Sequence, residues 1–362
     1  MEAKNIKPIC LDPLNSYHLL DHIAPLSLLL NAPMLSRDPE NEKLLRKFYP
    51  PIEVIPIISL ENSKEMILKN YNLLIHTNFW PKPLMQAFFN GCNMRSIYTP
   101  HGVSDKHSDV YWLEQFKEQD LTLLYGEHMV DFLKEKKVYD EITNPIFMGN
   151  LRYRFYLNHI DFYKDLLQKE IFPFLNNDKK TLIYAPTFQE ISSFYQLETS
   201  FIRALSDEFN VILKLHPNLE SNHPEVVYPF LGKLEHMQNV VPLIDFPPVY
   251  PLLDIADAYI GDFSSVGYDF LTFNRPMFFI SNSTISINRL RNLHSCGEIL
   301  DVKKPDTSLM QIKKSLEKDL YKERRKAMYE YAFLSISDKE LKNAIIQAHS
   351  KEEEEQKLPI DR

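Results

Sequence analysis

Glycine is scarce in this chain, with eight in 362 residues. None falls in a G-x-G-x-x-G, which excludes the dinucleotide fingerprint that cradles a pyrophosphate on a glycine loop. Cysteine is scarcer: Cys10, Cys92 and Cys296 stand far apart and show neither metal nor disulfide spacing. That usage fits a reducing cytoplasm. No apolar run reaches the ~18 uncharged residues of a membrane-spanning helix. The N-terminal stretch MEAKNIKPICLDP lacks the apolar core of a signal peptide. An excess of positive charge is also missing. With 41 Lys and Arg against 49 Asp and Glu, the net charge of −8 argues against a general nucleic-acid binder. It leaves room for one basic cleft holding a phosphorylated substrate. No acidic cluster calls for a metal, so none is expected. What remains, 44% hydrophobic and 25% charged residues with 12% aromatics, is the composition of a soluble globular protein. The length suits two domains better than one.

Short apolar runs alternate with helical patterns in both halves. In the first half, Lys7 to Leu11, Val54 to Ile58, Asn72 to His76, Ser96 to Thr99, Leu121 to Tyr125 and Ile146 to Met148 read as strands. Tyr17 to Asn31, Leu84 to Asn90, Val110 to Glu118 and Met129 to Lys136 read as helices. Arg152 to Asn177 is charged, aromatic and helical in period, the pattern of a connection. Strands then resume at Thr181 to Ala185, Val211 to Leu215, Val240 to Ile244, Ala258 to Ile260 and Met277 to Ile280. Helical segments lie near Phe201 to Glu208, Val249 to Ala256, Val266 to Phe273 and Ile285 to Leu293, and Ser308 to Leu334 is one long amphipathic region. Such alternation predicts α/β architecture with parallel, doubly wound sheets. The expected domains are 1–151, a helical linker 152–178, a second domain 179–335, and a C-terminal helix with a charged, frayed tail over 336–362. Ligands of such sheets bind beyond the carboxyl ends of the strands, here in a cleft between the two domains.

Five clusters sit at those ends. Gly261-Asp262-Phe263-Ser264-Ser265 follows a buried strand and opens a helix. Free N–H groups and two hydroxyls at one point suit a phosphate, while the plainer alternative is that a serine caps the helix. His101-Gly102, with Lys106 behind it, follows another strand, so the imidazole can lie open at the sheet edge or simply bond a loop carbonyl. Lys214-Leu215-His216-Pro217 ends a strand with a histidine and a turn-forming proline, which can also be no more than a turn. Tyr184-Ala185-Pro186-Thr187 ends another, and Gly149-Asn150-Leu151-Arg152 brings an arginine to the domain junction.

In order and spacing these clusters resemble the CDP-glycerol glycerophosphotransferase family, which builds poly(glycerol phosphate) chains of teichoic-acid type on a GT-B architecture. His101-Gly102 and Lys106 match its HG followed by lysine; Tyr184 to Thr187 match YAPT; Lys214 to Pro217 match K-x-HP. Ala256-Asp257, Ile260, Asp262 to Ser265 and Asp269-Phe270 match its AD-x-x-I-x-D-Y-S-S and DF elements, closed by Arg275-Pro276. The likeness runs from about His101 to Ile280 and is strongest in the second domain. Departures are Phe263 for the family tyrosine, Gln189 where an arginine often follows YAPT, Gly149-Asn150-Leu151-Arg152, which keeps the glycine and arginine of a G-x-P-R pattern but loses its proline, and an atypical Ser281 to Cys296.

The resemblance implies two Rossmann-like domains facing across a cleft and transfer of glycerol phosphate from CDP-glycerol to an acceptor hydroxyl, with release of CMP. It implies His101 as the base, His216 against the donor phosphates, and Ser264 and Ser265 on the pyrophosphate. Asp262 orients the donor glycerol or a histidine. Gly102, Thr187 and Pro217 line the substrate, and Lys106, Arg152 and Lys214 supply counter-charge. No cofactor is implied. The acceptor expected is a glycan or polyol phosphate, lipid-linked, reached through peripheral contact with the inner face of the cell membrane. Two rivals share these residues: a GT-B glycosyltransferase using a nucleotide sugar, and a non-catalytic nucleotide-binding relative.

Overall fold

The computed structural model describes residues 6–14, 16–77, 88, 94–105, 110–117, 119–188, 190–280 and 293–355. The chain divides into two compact units, the first made of residues 1–101, 107–155 and 331–362, the second of 102–106 and 156–330.

The first unit holds a seven-stranded sheet: β1 (Pro8–Leu11), β2 (Met34–Ser36), β3 (Val54–Pro56), β4 (Leu73–His76), β5 (Arg95–Tyr98), β6 (Leu121–Leu124) and β7 (Pro145–Phe147). Their order is β3-β2-β1-β4-β5-β6-β7, with every pairing parallel. A parallel sheet covered on both faces needs runs apolar on both sides, and β1, β4 and β6 are buried at all four positions. β2 is absent from the sequence reading because three residues between Pro33 and a charged helix carry no periodicity. That helix, Pro39–Phe48, starts where the Asp38 carboxylate accepts the Glu40 amide at 2.9 Å. The helix expected at Leu84 to Asn90 lies outside the described residues apart from Phe88.

The second unit repeats the plan with β8 (Thr181–Ala185), β9 (Asn210–Lys214), β10 (Val240–Leu243), β11 (Ala258–Gly261), β12 (Met277–Ile280) and β13 (Glu298–Leu300), ordered β10-β9-β8-β11-β12-β13 and again all parallel. Its core joins Leu182, Val211, Leu213, Ala258, Ile260 and Phe278 of the sheet to Phe201, Leu205 and Ile312 of helices 199–208 and 305–317. Full burial of such side chains stabilises by about 1.5–3 kcal/mol each. Strand order reverses direction between β1 and β4 in one unit and between β8 and β11 in the other. Those switch points open a crevice at the carboxyl end of each sheet.

Two helical regions differ from the sequence reading. Ser308 to Leu334 is two helices, Pro305–Glu317 and Lys322–Ala332. Lys318 turns extended between them, and the Asp319 carboxylate both accepts the Tyr321 amide and pairs with the fully buried Arg325. The C-terminal helix Asp338–Glu355 packs within the first unit, burying Leu341 and Ile345, and Arg95 donates to the carbonyl of His349. Residues 331–362 therefore return to the unit that the N-terminus begins.

Candidate active site

In the second unit the switch point is assembled by one carboxylate. Asp262, fully buried at the end of β11, accepts the amides of Thr187 and Ser193 and the Ser193 hydroxyl, each at 2.8 Å. It thereby ties the loop leaving β8 to the turn leaving β11. Gly261 is required just before it: a Cβ there would lie 2.0 Å from the Tyr259 hydroxyl. That hydroxyl donates to the Ala185 carbonyl at 3.1 Å. Burial, followed by the Asp262 charge, holds the hydroxyls of Tyr184 and Tyr259 well above their ordinary pKa. Both stay neutral donors.

Ser264 takes the N-cap position of helix Ser265–Phe270, yet its side chain makes no capping bond. It hydrogen-bonds with Tyr259. The N-cap position thus accounts for the Ser264 backbone and Tyr259 for its hydroxyl; Ser265 is half-buried in the first helical turn. Thr187 is fully buried, and its Oγ1 has no hydrogen-bond partner among the described residues.

His216 caps helix Pro217–Asn222. Its Nδ1 accepts the Asn218 amide at 3.1 Å, with Pro217 at the first helical position. A nitrogen that accepts carries no proton, so in the neutral ring the proton is on Nε2. The ring lies 4.5 Å from that of Phe188, tilted by 36°. Lys214 is buried at the end of β9, its ammonium 3.3 Å from the Ile244 carbonyl and 3.4 Å from that of Leu215. Arg275 donates to the carbonyls of Asp254 and Ala256, closing the end of helix Tyr250–Ile255.

In the first unit His101 follows β5. Its Nε2 donates to the Thr77 carbonyl, which leaves the lone pair of the neutral ring on Nδ1. Solvent reaches part of the residue, while protein packed around the ring lowers its pKa below the ordinary histidine value and the Thr77 carbonyl draws it partly back up. Gly102 has φ +104, a left-handed setting that a side chain would strain. Arg152 is engaged within the same unit: its Nε and Nη2 hold the Asp21 carboxylate at 3.0 and 2.6 Å, both side chains buried. Lys106 and Gln189 lie outside the described residues, as do 281–292 of the atypical Ser281 to Cys296 stretch.

Three residues escaped sequence reasoning. Asp12 follows β1 at the switch point of the first sheet, 1% exposed, accepting from Ser36 Oγ at 3.1 Å and the Arg37 amide at 3.2 Å. A carboxylate directly after an apolar strand is the signal that could have found it. Asp105 accepts the Tyr268 hydroxyl at 2.6 Å and the Leu293 amide at 2.9 Å within the second unit. His22 sits on an apolar helix and carried no signal.

Both sheets, with their helices, are α/β and GT-B-like. The structure of the wall teichoic acid polymerase TagF superposes on 98% of this chain and 91% of its own with a TM-score of 0.65 at 17% identity. Residues 165–294 match the family model of CDP-glycerol:poly(glycerophosphate) glycerophosphotransferases. The chain is similar to the teichoic acid glycerol-phosphate primase of Bacillus spizizenii, 25% identical over 257 residues, which cover 66% of this chain and 61% of that one. It is also similar to the teichoic acid poly(ribitol-phosphate) polymerase of the same organism, 29% identical over 163 residues, 42% of this chain and 25% of the polymerase. The chain thus spans less than two thirds of the length of either relative. The chain resembles the CDP-glycerol glycerophosphotransferases.

Proposed function

We propose that this chain is a CDP-glycerol glycerophosphotransferase: it transfers glycerol phosphate from CDP-glycerol to a hydroxyl of an acceptor and releases CMP. The observation that carries this reading is the family match over residues 165–294, the segment that contains Thr187, His216, Asp262, Ser264 and Ser265. The acceptor oxygen forms a bond to the glycerol-bearing phosphorus as the bond from that phosphorus to the CMP oxygen breaks. CMP leaves with the electron pair. The acceptor's proton passes to His101, whose Nδ1 lone pair suits a base and whose lowered pKa keeps it neutral near pH 7. His216 presents an Nε2 proton suited to charge developing on the leaving phosphate. Ser264, Ser265 and Thr187 supply hydroxyls to the donor phosphates and nucleotide, Gly102 and Pro217 shape the backbone beside the two histidines, and Lys106 and Lys214 add positive charge. Asp262 ties the loop that carries Thr187 to the turn that carries Ser264 and Ser265, and its catalytic contribution acts through that placement.

For Arg152 the reading is narrower. Its guanidinium belongs to the Asp21 pair, so its support of phosphate is long-range charge. The acceptor we infer is a lipid-linked glycan or polyol phosphate met at the membrane face, in line with the teichoic acid names of the relatives. No described helix is long and apolar enough to cross a membrane.

The test offers CDP-glycerol, CDP-ribitol and a panel of nucleotide sugars separately to pure protein with a cell-membrane extract. CMP from CDP-glycerol is the expected product. UDP from a sugar donor would replace this reading with the glycosyltransferase one, and donor binding without turnover under any acceptor would favour the non-catalytic relative.

A further inference from the structure

Helix Leu20–Leu30 is apolar and core-facing, yet its first turn buries two ionisable residues, Asp21 and His22. Asp21 is explained by Arg152 and by the Tyr49 hydroxyl at 3.3 Å. His22 has a different partner. Its Nδ1 lies 3.0 Å from the hydroxyl of Tyr125, the residue after β6, and that hydroxyl donates to the Pro100 carbonyl at 3.1 Å. With the phenolic proton given to Pro100, His22 must be the donor to Tyr125. Its lone pair is then on Nε2. The Pro100 carbonyl belongs to the peptide that joins directly to His101, and the rings of His22 and His101 lie 6.2 Å apart at 55°. His101 is thereby held from two sides: by its ring on the Thr77 carbonyl, and by its preceding peptide on the Tyr125–His22 chain.

We propose that His22 is a positioning residue for His101, fixing the peptide that carries the base through Tyr125 and setting a neutral, polar ring beside it that stabilises the charge His101 gains. The proposal rests on the reading of His101 as the base. The groups around His22 fit the role. Arg152 from helix Leu151–Asn158, His18 from the 3-10 turn Tyr17–Leu19, and His101 itself all oppose a proton on His22, with burial opposing it most. Asp21 is engaged by Arg152. The proton taken from the acceptor therefore stays on His101.

The test compares His22→Phe, His22→Asn and Tyr125→Phe in the full chain. Two quantities are read: kcat with CDP-glycerol and the NMR titration midpoint of the His101 ring. Phenylalanine fills the space but loses the donor, whereas asparagine keeps a donor near the place of Nδ1. Positioning predicts that His22→Phe lowers kcat about tenfold and that His22→Asn recovers most of it, with donor affinity unchanged. The His101 midpoint in His22→Phe moves down, because hydrocarbon replaces a polar neighbour of the imidazolium. Tyr125→Phe, which removes one hydroxyl, lowers kcat in the same direction. A packing role predicts the reverse ranking, phenylalanine better than asparagine, and that ranking would overturn the proposal. So would a wild-type kcat in Tyr125→Phe together with an unmoved midpoint in His22→Phe. His101→Ala run in parallel separates the two readings: turnover that survives it removes the base assignment, while a dead His101→Ala beside an unaffected His22→Phe removes only the positioning role.

Discussion

His101 and His216 each follow the carboxyl end of a strand, β5 in one sheet and β9 in the other, yet the backbone fixes them oppositely. A carbonyl, that of Thr77, holds His101 and takes the Nε2 proton, leaving a basic Nδ1. An amide, that of Asn218, holds His216 and takes the Nδ1 lone pair, leaving the proton on Nε2. The backbone partners thus preset one ring to accept a proton and the other to donate one. A transfer that removes a proton from the attacking hydroxyl and places negative charge on the leaving phosphate needs that pair of states.

The sharpest way to break this comparison is to remove the accepting ring. His101→Ala is expected to lower turnover by about 10²–10⁴ while calorimetric CDP-glycerol affinity stays close to wild type. On the donating side, His216→Ala loses both the Nε2 proton and the helix cap, so it confounds two effects. His216→Asn separates them: an Asn at the N-cap can still accept the Asn218 amide but has nothing at the place of Nε2. Its thermal midpoint is expected near wild type with kcat still down about 10². Recovery of kcat in His216→Asn would reduce His216 to a cap.

How much of this was legible beforehand depended on range. Eleven of the strands were read from local apolar runs, most of them because a parallel strand buried on both faces writes itself into four or five consecutive residues. β2 and β13, three residues each, were not read; β3 and β7 are as short but were read from Val54 to Ile58 and Ile146 to Met148, so length alone does not separate them. The position of the His101 and His216 clusters at strand ends was equally local. The state of each ring was not, since it rests on Thr77 in another strand's exit and on a cap amide. Arg152 shows the limit most clearly. Its motif placed it at the junction, but its partner Asp21 stands 131 positions upstream, and no local pattern encodes that pairing. Asp262 was legible as a carboxylate at a strand end, whereas its three donors from Thr187 and Ser193 are a fact of the fold.

Arg152 gives the next test. Arg152→Ala leaves Asp21 buried without its guanidinium, and the expected result is a loss of about 3–5 kcal/mol in chemical denaturation of the first unit. A change in donor affinity with stability intact would instead make it a phosphate ligand.

The smallest effect is on pH and stability. Burial lowers the pKa of His22 in the folded protein, and the protein packed around its ring lowers that of His101, partly offset by the Thr77 carbonyl. Between the ordinary histidine value and those lowered values, the unfolded chain binds protons that the folded one does not. Stability is therefore whole above about pH 6.5 and falls as pH drops below it. Thermal midpoints measured across that range in wild type and His22→Phe should show a weaker acid dependence in the variant.

The most direct measurement is the pH profile of kcat/KM for CMP release from CDP-glycerol, in wild type and in His101→Ala. The account predicts a wild-type rate that falls on the acid side with a midpoint below the ordinary histidine value, and a much slower variant whose profile has lost that acid limb. An acid limb that persists unchanged in His101→Ala would contradict it, and the base would have to be sought elsewhere.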